Sequence, residues 1–323
     1  MQYSRIAAFA GALCLAQPTL DALAQPYPSK PVRLIVPFPP GGTLDRLARS
    51  IAPRASETFG QPVLVENRPG AGTILGTEVV ARAAPDGHTL LMMAASFVIT
   101  PLLRQKLPFD PQRDFVPVTL IANTPNVLVA QPALPVRSVK ELVALARARP
   151  GELTYGSIGA GTPQHLAGEM LAVNAKVDLV HVPYQGGAPA AAALLGGHVS
   201  FMFANLAEVQ SFIDGGRMRL LAVATAERVP TLPKVPTMTE AGVAGFDSTS
   251  WFGMVAPSAV PREVITRWQA EIARILNIAE VRDTLTSAGF RPLGTSPEQF
   301  GALLQAETTR YARVIREAKV QVE

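Results

Sequence analysis

Two short segments bring glycine, hydroxyl side chains and exposed backbone together as an anion site requires. One is Pro39-Pro40-Gly41-Gly42-Thr43-Leu44-Asp45, and the other is Gly156-Ser157-Ile158-Gly159-Ala160-Gly161-Thr162-Pro163. Each follows an apolar, β-branched run and precedes a helical pattern, so each reads as a strand-to-helix corner. Glycine at such a corner lets a ligand approach bare backbone, and the first-turn N–H groups of the helix point outward without an internal acceptor. Together with the helix dipole, those N–H groups attract negative charge. Either corner alone reads equally well as a tight turn. Two of them facing across a cleft would clamp a carboxylate without any arginine, because hydrogen bonds to a charged acceptor are stronger than neutral ones.

Other chemistries fail at particular residues. The second corner lacks the lysine of a phosphate-binding P-loop, and Gln164 stands where a dinucleotide fingerprint has its third glycine. A nucleophile elbow around Ser157 needs glycine two residues earlier, where Tyr155 stands. The histidines His88, His165, His181 and His198 are dispersed, with no partner at ligand spacing, so no metal and no cofactor are expected. His165, in the first turn after the second corner, either reaches a ligand or caps that turn. Asp45 either settles the dipole of its own helix or contacts a ligand group. Trp251, in Ser250-Trp251-Phe252-Gly253, belongs either to the core or to the cleft.

The elements that must position these residues alternate strand and helix, the signature of an α/β fold around mainly parallel sheets. Pro31 to Phe38 reads as a first strand buried on both faces. Leu44, Leu47, Ala48, Ile51, Ala52 and Ala55 then mark one face of a helix. Strands follow at Val63 to Val65 and Thr89 to Met93, with a helix over Ile74 to Ala83 between them. Val116 to Ala122 and Asn126 to Ala130 flank Asn123-Thr124-Pro125 and read as two paired strands crossing from one lobe to the next. Ser138 with Glu141 forms a capping box, and Pro150-Gly151 ends that helix. Strands at Leu153 to Tyr155, Val177 to Val182 and Val199 to Phe203 alternate with helices from Pro163 and Pro189. Leu220 to Ala224 is expected to lead back to the first lobe. Helices at Pro261 to Leu276 and Pro297 to Ala318 start on proline. The lobes are expected at residues 25–122 plus 226–323 and at 123–225.

With 323 residues, 48% hydrophobic and 17% charged, the chain can build a sizeable core, and disorder is excluded for most of its length. The formal charge is +4, but the 29 lysines and arginines form no block, which argues against nucleic acid. Arg5 followed by the apolar run Ile6 to Ala16 reads as a signal peptide, too short for the roughly 20 residues of a membrane span. Ala22-Leu23-Ala24 supplies the small-x-small cleavage pattern, so residues 1–24 are expected to be removed after export to the periplasm. Cys14, the only cysteine, lies inside that run and would leave with it.

The short motifs resemble the periplasmic receptors of tripartite tricarboxylate transporters, the Bug-type solute-binding proteins. The likeness runs from about Tyr27 to the C-terminus. It is carried by Tyr27-Pro28-Ser29-Lys30-Pro31, the Pro-Gly-Gly corner with Asp45, Glu66-Asn67-Arg68-Pro69-Gly70-Ala71-Gly72 and Pro85-Asp86-Gly87. Further matches are Leu107-Pro108-Phe109-Asp110, the corner from Gly156 to His165, Val182-Pro183-Tyr184-Gln185-Gly186-Gly187, Leu232-Pro233-Lys234-Val235-Pro236-Thr237 and Glu240-Ala241-Gly242. The resemblance implies a two-lobed periplasmic binding protein of type II, a Venus flytrap with a hinge, that captures a small organic carboxylate and delivers it to membrane permease subunits. It implies ligand contacts from Phe38, Gly41, Gly42, Asp45 and Ser96 in the first lobe, and from Ser157, Gly159, Gly161, Thr162 and His165 in the second. Tyr184 and Asn205 are implied as wall or contact residues. Leu44 departs from the family, which usually has a hydroxyl residue before the aspartate. Lobe closure would then expel water and bury the ligand. A monomer without catalytic residues is expected; the other readings are a ligand-presenting partner of a membrane sensor and a secreted hydrolase.

Overall fold

The computed structural model describes residues 27–104 and 106–320; the expected signal peptide lies outside the described residues. Strand β1 (Val32–Val36) is apolar on both faces and buried along its length except at Arg33. Helix α1 (Thr43–Phe59) follows and buries the face formed by Leu44, Leu47, Ala48, Ile51, Ala52 and Ala55, before Gly60 ends it at φ 68°. Then come β2 (Val63–Asn67), α2 (Ile74–Ala81), β3 (Thr89–Ala94) and α3 (Ser96–Leu103). β1 lies between β2 and β3, parallel to both.

Strand β4 (Phe115–Ala130) leads into the second half, which contains α4 (Val139–Ala148), β5 (Thr154–Ser157), α5 (Pro163–Ala175), β6 (Val180–Pro183) and α6 (Gly187–Leu195). It is completed by β7 (Phe201–Asn205), α7 (Leu206–Asp214) and β8 (Arg219–Val223). Here β5 lies between β6 and β7, parallel to both, so it repeats the part played by β1. The chain returns through β9 (Thr249–Pro257), α8 (Arg262–Leu276), α9 (Ala279–Ser287), the short β10 (Arg291–Pro292) and α10 (Pro297–Glu317). The strand order is β2-β1-β3-β9-β4-β7-β5-β6, with β8 and β10 both paired to β4.

Three expectations need correction. Residues 115–130 form one strand, not two paired ones: Phe115 to Pro125 lie against β9, and Asn126 to Ala130 against β7. Asn123-Thr124-Pro125 looks like a turn because of its composition. In the fold Thr124 is fully buried and its hydroxyl donates to the Gly289 carbonyl at 2.8 Å, so the segment stays extended. β8 does not lead back to the first half, because it pairs antiparallel with β4 at Val127 to Ala130. The return comes later, after Ser248, whose N–H meets the Ala224 carbonyl, because Met238, Val243 and Phe246 in between still pack in the cluster around β5. Finally, Glu141 does not complete a capping box, since its carboxylate accepts from Arg137 N–H while Ser138 caps Glu141 N–H.

Each half carries apolar clusters built on its own strands. Around β1 they include Leu34, Met92, Phe252 and the fully buried Trp268, which meets Phe59 edge-on at 4.8 Å. Around β5 they include Tyr155, Phe201 and Phe203. Each fully buried leucine, valine or phenylalanine contributes about 1.5–3 kcal/mol, so the halves form firm platforms joined by β4 and the return segment.

Candidate functional site

The parallel strands of both halves empty at their carboxyl ends into one crevice, the usual place for a ligand in open α/β sheets. After β1 the chain turns at Gly41, φ 82°, and enters α1, whose N-cap Gly42 offers no side chain to its first-turn amides. The N–H groups of Gly42, Leu44 and Asp45 meet no acceptor among the described residues, and that of Gly41 donates to Asp45 Oδ2 at 2.9 Å. Asp45 is 2% exposed and turned inward. Burial pushes its carboxyl up, but Arg49, the Gly41 N–H and Asn67 together hold it below the ordinary carboxylate range. Asp45 therefore braces the corner from behind.

The corner after β5 is fastened by its own side chains. Thr162 Oγ1 accepts from His165 N–H at 3.4 Å and donates to the Gly159 carbonyl at 2.6 Å. His165 Nδ1 accepts from Gly161 N–H at 3.3 Å. Gly159 and Gly161 take φ 137° and 75°, which side chains other than glycine rarely adopt. Beneath them His165 stacks on His181 at 4.1 Å, and His181 on Tyr155 at 4.9 Å. Burial lowers both imidazoles, with Glu169 opposing this at His165, and brings His181 to about 3. Burial, reinforced by Glu169, raises the Tyr155 hydroxyl.

Ser157 Oγ lies 2.7 Å from His181 Nε2, the spacing of a nucleophile and its base. Ser157 is 0% exposed, however, and no carboxylate orients His181 among the described residues. The pair supports the corner from within.

Two adjoining crevices separate the halves. The deeper holds about 580 Å³ of empty space open to solvent, and its wall carries no lysine or arginine. The second, of about 1130 Å³, continues toward the mouth past Pro69 to Thr73, Thr100, Arg104 and Tyr184. Phe38, Gly42, Ser96, Gly159, Gly161, Thr162, Tyr184 and Asn205 line these walls. Asp45, Ser157 and His165 stand behind them as supports, while Gly41 is exposed and lines a neighbouring pocket with Gly42, Arg46 and Glu208. Trp251 is a core residue, with its indole N–H donating to Glu307 at 2.8 Å and its ring edge-on to Phe300. Leu44 is buried in the first half's core, and the hydroxyl at this corner comes from Thr43 instead.

The crevice also has wall residues that were not among the expected ligand contacts: Thr43, Gln164, Gln185 to Gly187, Glu208 and Ser250. Gln185 to Gly187 form a third glycine corner, between β6 and α6, and were legible as such. Glu208 had no local signal, because it stands on α7 and reaches the first turn of α1, where Oε1 accepts from Thr43 N–H at 3.4 Å and from the Thr43 hydroxyl. Burial raises its carboxyl above the ordinary range, against the pull of those hydrogen bonds.

Residues 47–320 match the family described as tripartite tricarboxylate transporter family receptor. BugT of Bordetella pertussis is 34% identical over 302 residues, covering 93% of each chain. Among solved structures, R. palustris Rpa4515 with adipate superposes with a TM-score of 0.88 at 36% identity, covering 91% of this chain and 99% of that one. The periplasmic binding protein BugD gives a TM-score of 0.86 at 34% identity, over 92% of this chain and 100% of that one.

Proposed function

The chain belongs to the tripartite tricarboxylate transporter receptor family, with the α/β fold of its periplasmic binding proteins, and from that premise we propose that it captures a small organic carboxylate between its halves and delivers it to membrane permease subunits. The observation that carries this reading is the pair of corners. Unbonded N–H groups at Gly42 and Leu44, and the segment Gly159 to Thr162, whose glycine N–H groups are held by Ser157 Oγ and His165 Nδ1, border one pair of crevices, the first of which has no lysine or arginine on its wall. Such a wall suits an anion held by backbone amides and hydroxyls. The adipate in the R. palustris relative supports the same ligand class.

In this reading the lobes are residues 25–122 plus 226–323 and residues 123–225, hinged where β4 and the return segment cross. Export by the N-terminal 24 residues places the receptor in the periplasm. Among the described residues the site has no exposed nucleophile paired with a base, so we read it as binding without catalysis.

A thermal-shift screen with small mono- and dicarboxylates tests the proposal. A ligand at about 100 times its dissociation constant stabilises by about 2.7 kcal/mol. Mass spectrometry of the denatured protein identifies any acid carried through purification. A protein that neither carries an acid nor responds to any would end the carboxylate reading. Retention of the closed, acid-loaded receptor by detergent-solubilised permease, and not of the acid-free one, is the expected sign of delivery.

A further inference from the structure

One hydrogen-bonded chain crosses the floor of the crevice. Gln164 Nε2 donates to Asn126 Oδ1 at 2.8 Å and to Asn205 Oδ1 at 2.7 Å. Asn205 Nδ2 donates to Thr43 Oγ1 at 3.2 Å, and the Thr43 hydroxyl donates to Glu208 Oε1. At each end one acceptor is left over. Gln164 Oε1 and Glu208 Oε2 are buried and have no partner among the described residues. Gln164 is 0% exposed, and both residues line the 580 Å³ crevice.

The fold makes room for this arrangement. A Cβ at Gly187 would strike the Glu208 carboxylate, so the third corner needs glycine there to admit it. Arg46, the cation that acts on Glu208, gives Nη2 to the Ala207 carbonyl at 2.6 Å and forms no ion pair with the carboxylate among the described residues. Buried acceptors without donors are costly, the more so when charged, and proteins seldom keep two on one wall without a use for them.

Building on the carboxylate reading of the crevice, we propose that Glu208 and Gln164 make it selective for acids that also carry a hydrogen-bond donor, a hydroxyl or an amino group. The amides at the corners take the ligand's carboxylate, and the two leftover acceptors take its donor. A plain acid leaves both acceptors unpaired. A site built to accept from a ligand hydroxyl or amine discriminates strongly against the analogue that lacks it.

Titration calorimetry near neutral pH, on protein unfolded and refolded free of carried acid, tests this with three matched sets. They are propionate, lactate and alanine; succinate, malate and aspartate; and 3-phenylpropionate, 3-phenyllactate and phenylalanine. In the set whose skeleton fits, a substituted acid should bind about tenfold to a hundredfold tighter than the plain one. In Glu208→Gln, whose amide oxygen still accepts, a preference for the hydroxy acid should persist while a preference for the amino acid weakens. In Glu208→Met the ratio of substituted to plain affinity should fall toward one. Equal affinities within every set for the wild-type protein, or an undiminished ratio in Glu208→Met, would overturn the inference and leave the receptor reading standing. If Glu208→Met does not fold, the wild-type ratios and Glu208→Gln still decide. If none of the nine acids binds, the receptor reading is refuted for these acid classes, and this inference goes with it.

Discussion

The corner after β5 carries its own fasteners: a threonine cap, a histidine acceptor for Gly161 N–H, and a stack of His165, His181 and Tyr155 beneath. The corner after β1 has Asp45 behind it, held by Arg49 and by Asn67, which also donates to the Phe38 carbonyl, but its helix starts on a glycine without a cap. What that helix start lacks comes from the other half. Glu208 and Asn205 reach Thr43, and Arg46 donates to the Ala207 carbonyl. The second corner thus caps its helix from within its own half, whereas the helix start at the first takes its partners for Thr43 and Arg46 from across the crevice. In the receptor reading, opening of the halves would part the Thr43 N–H from Glu208, while the N–H groups of Gly42, Leu44 and Asp45 meet no acceptor among the described residues even with the halves in contact.

The largest test of this asymmetry sets Gly161→Val against Gly42→Val. Gly161 has φ 75°, and a Cβ there would lie 3.4 Å from Thr100 Oγ1 across the crevice. Valine at such a φ costs about 1–3 kcal/mol, so Gly161→Val should melt several degrees lower and lose carboxylate binding. Gly42 has φ −74°, and its Cβ would meet only the Pro39 carbonyl at 3.7 Å. Gly42→Val, a poorer N-cap but free of backbone strain, should melt less far below the wild type than Gly161→Val while binding weakly, since its side chain enters the crevice. Equal melting losses in the two variants would erase the asymmetry.

Acid should also strike the second corner first. His181 is held near 3 by burial and by His165, while an unfolded histidine titrates near its ordinary 6.5. Below 6.5 the unfolded chain takes up protons that the folded chain refuses, so stability falls as pH drops from 6.5 toward 3. The groups facing the ring are Tyr155, His165 and the Ser157 hydroxyl, with Glu169 beyond His165. The expected loss is about 2 kcal/mol, short of the full depression because the ring keeps some solvent contact. In His181→Gln, denaturant melts across that range should show a shallower slope. An unchanged slope would remove the histidine stack from the account.

How much of this was legible in the sequence depended on the range of the signal. Helix α1 and strand β1 announce themselves by periodicity, and Thr162 and Ser138 by their place before a helix, because these are local properties. The continuous β4 was hidden by Asn123-Thr124-Pro125, whose turn composition is overridden by pairing with β9, more than 120 residues later in the chain. β9 itself, centred on Trp251 to Val255, gave an apolar run without a period that would distinguish strand from buried loop. The corners were visible as motifs, but their division of labour was not. Which side chain faces a ligand and which braces from behind depends on partners such as Glu208 and Asn205, set by tertiary contacts that leave no spacing to read.

A smaller effect isolates the cap of the second corner. Thr162→Ala removes the acceptor for His165 N–H and should cost about 1 kcal/mol, as cap losses usually do. Thermal melts should show this with or without ligand, because that fastening does not depend on closure. A cost that appears only in the loaded protein would move Thr162 from the scaffold to the ligand contacts.

The smallest effect on stability is the most telling about function. Gly42→Ser gives α1 the cap it lacks, at backbone angles a serine cap adopts without strain. The new hydroxyl would accept from one of the first-turn amides that now meet no acceptor among the described residues. Folding should gain a few tenths of a kcal/mol, since glycine is already a tolerable N-cap. Carboxylate binding should nevertheless weaken, because cap and ligand compete for the same N–H groups. Melting curves and calorimetry on one preparation measure both. If Gly42→Ser melts higher and binds its acid as tightly as the wild type, the amides of α1 are not what holds the anion. The weight would then shift to the corner after β5.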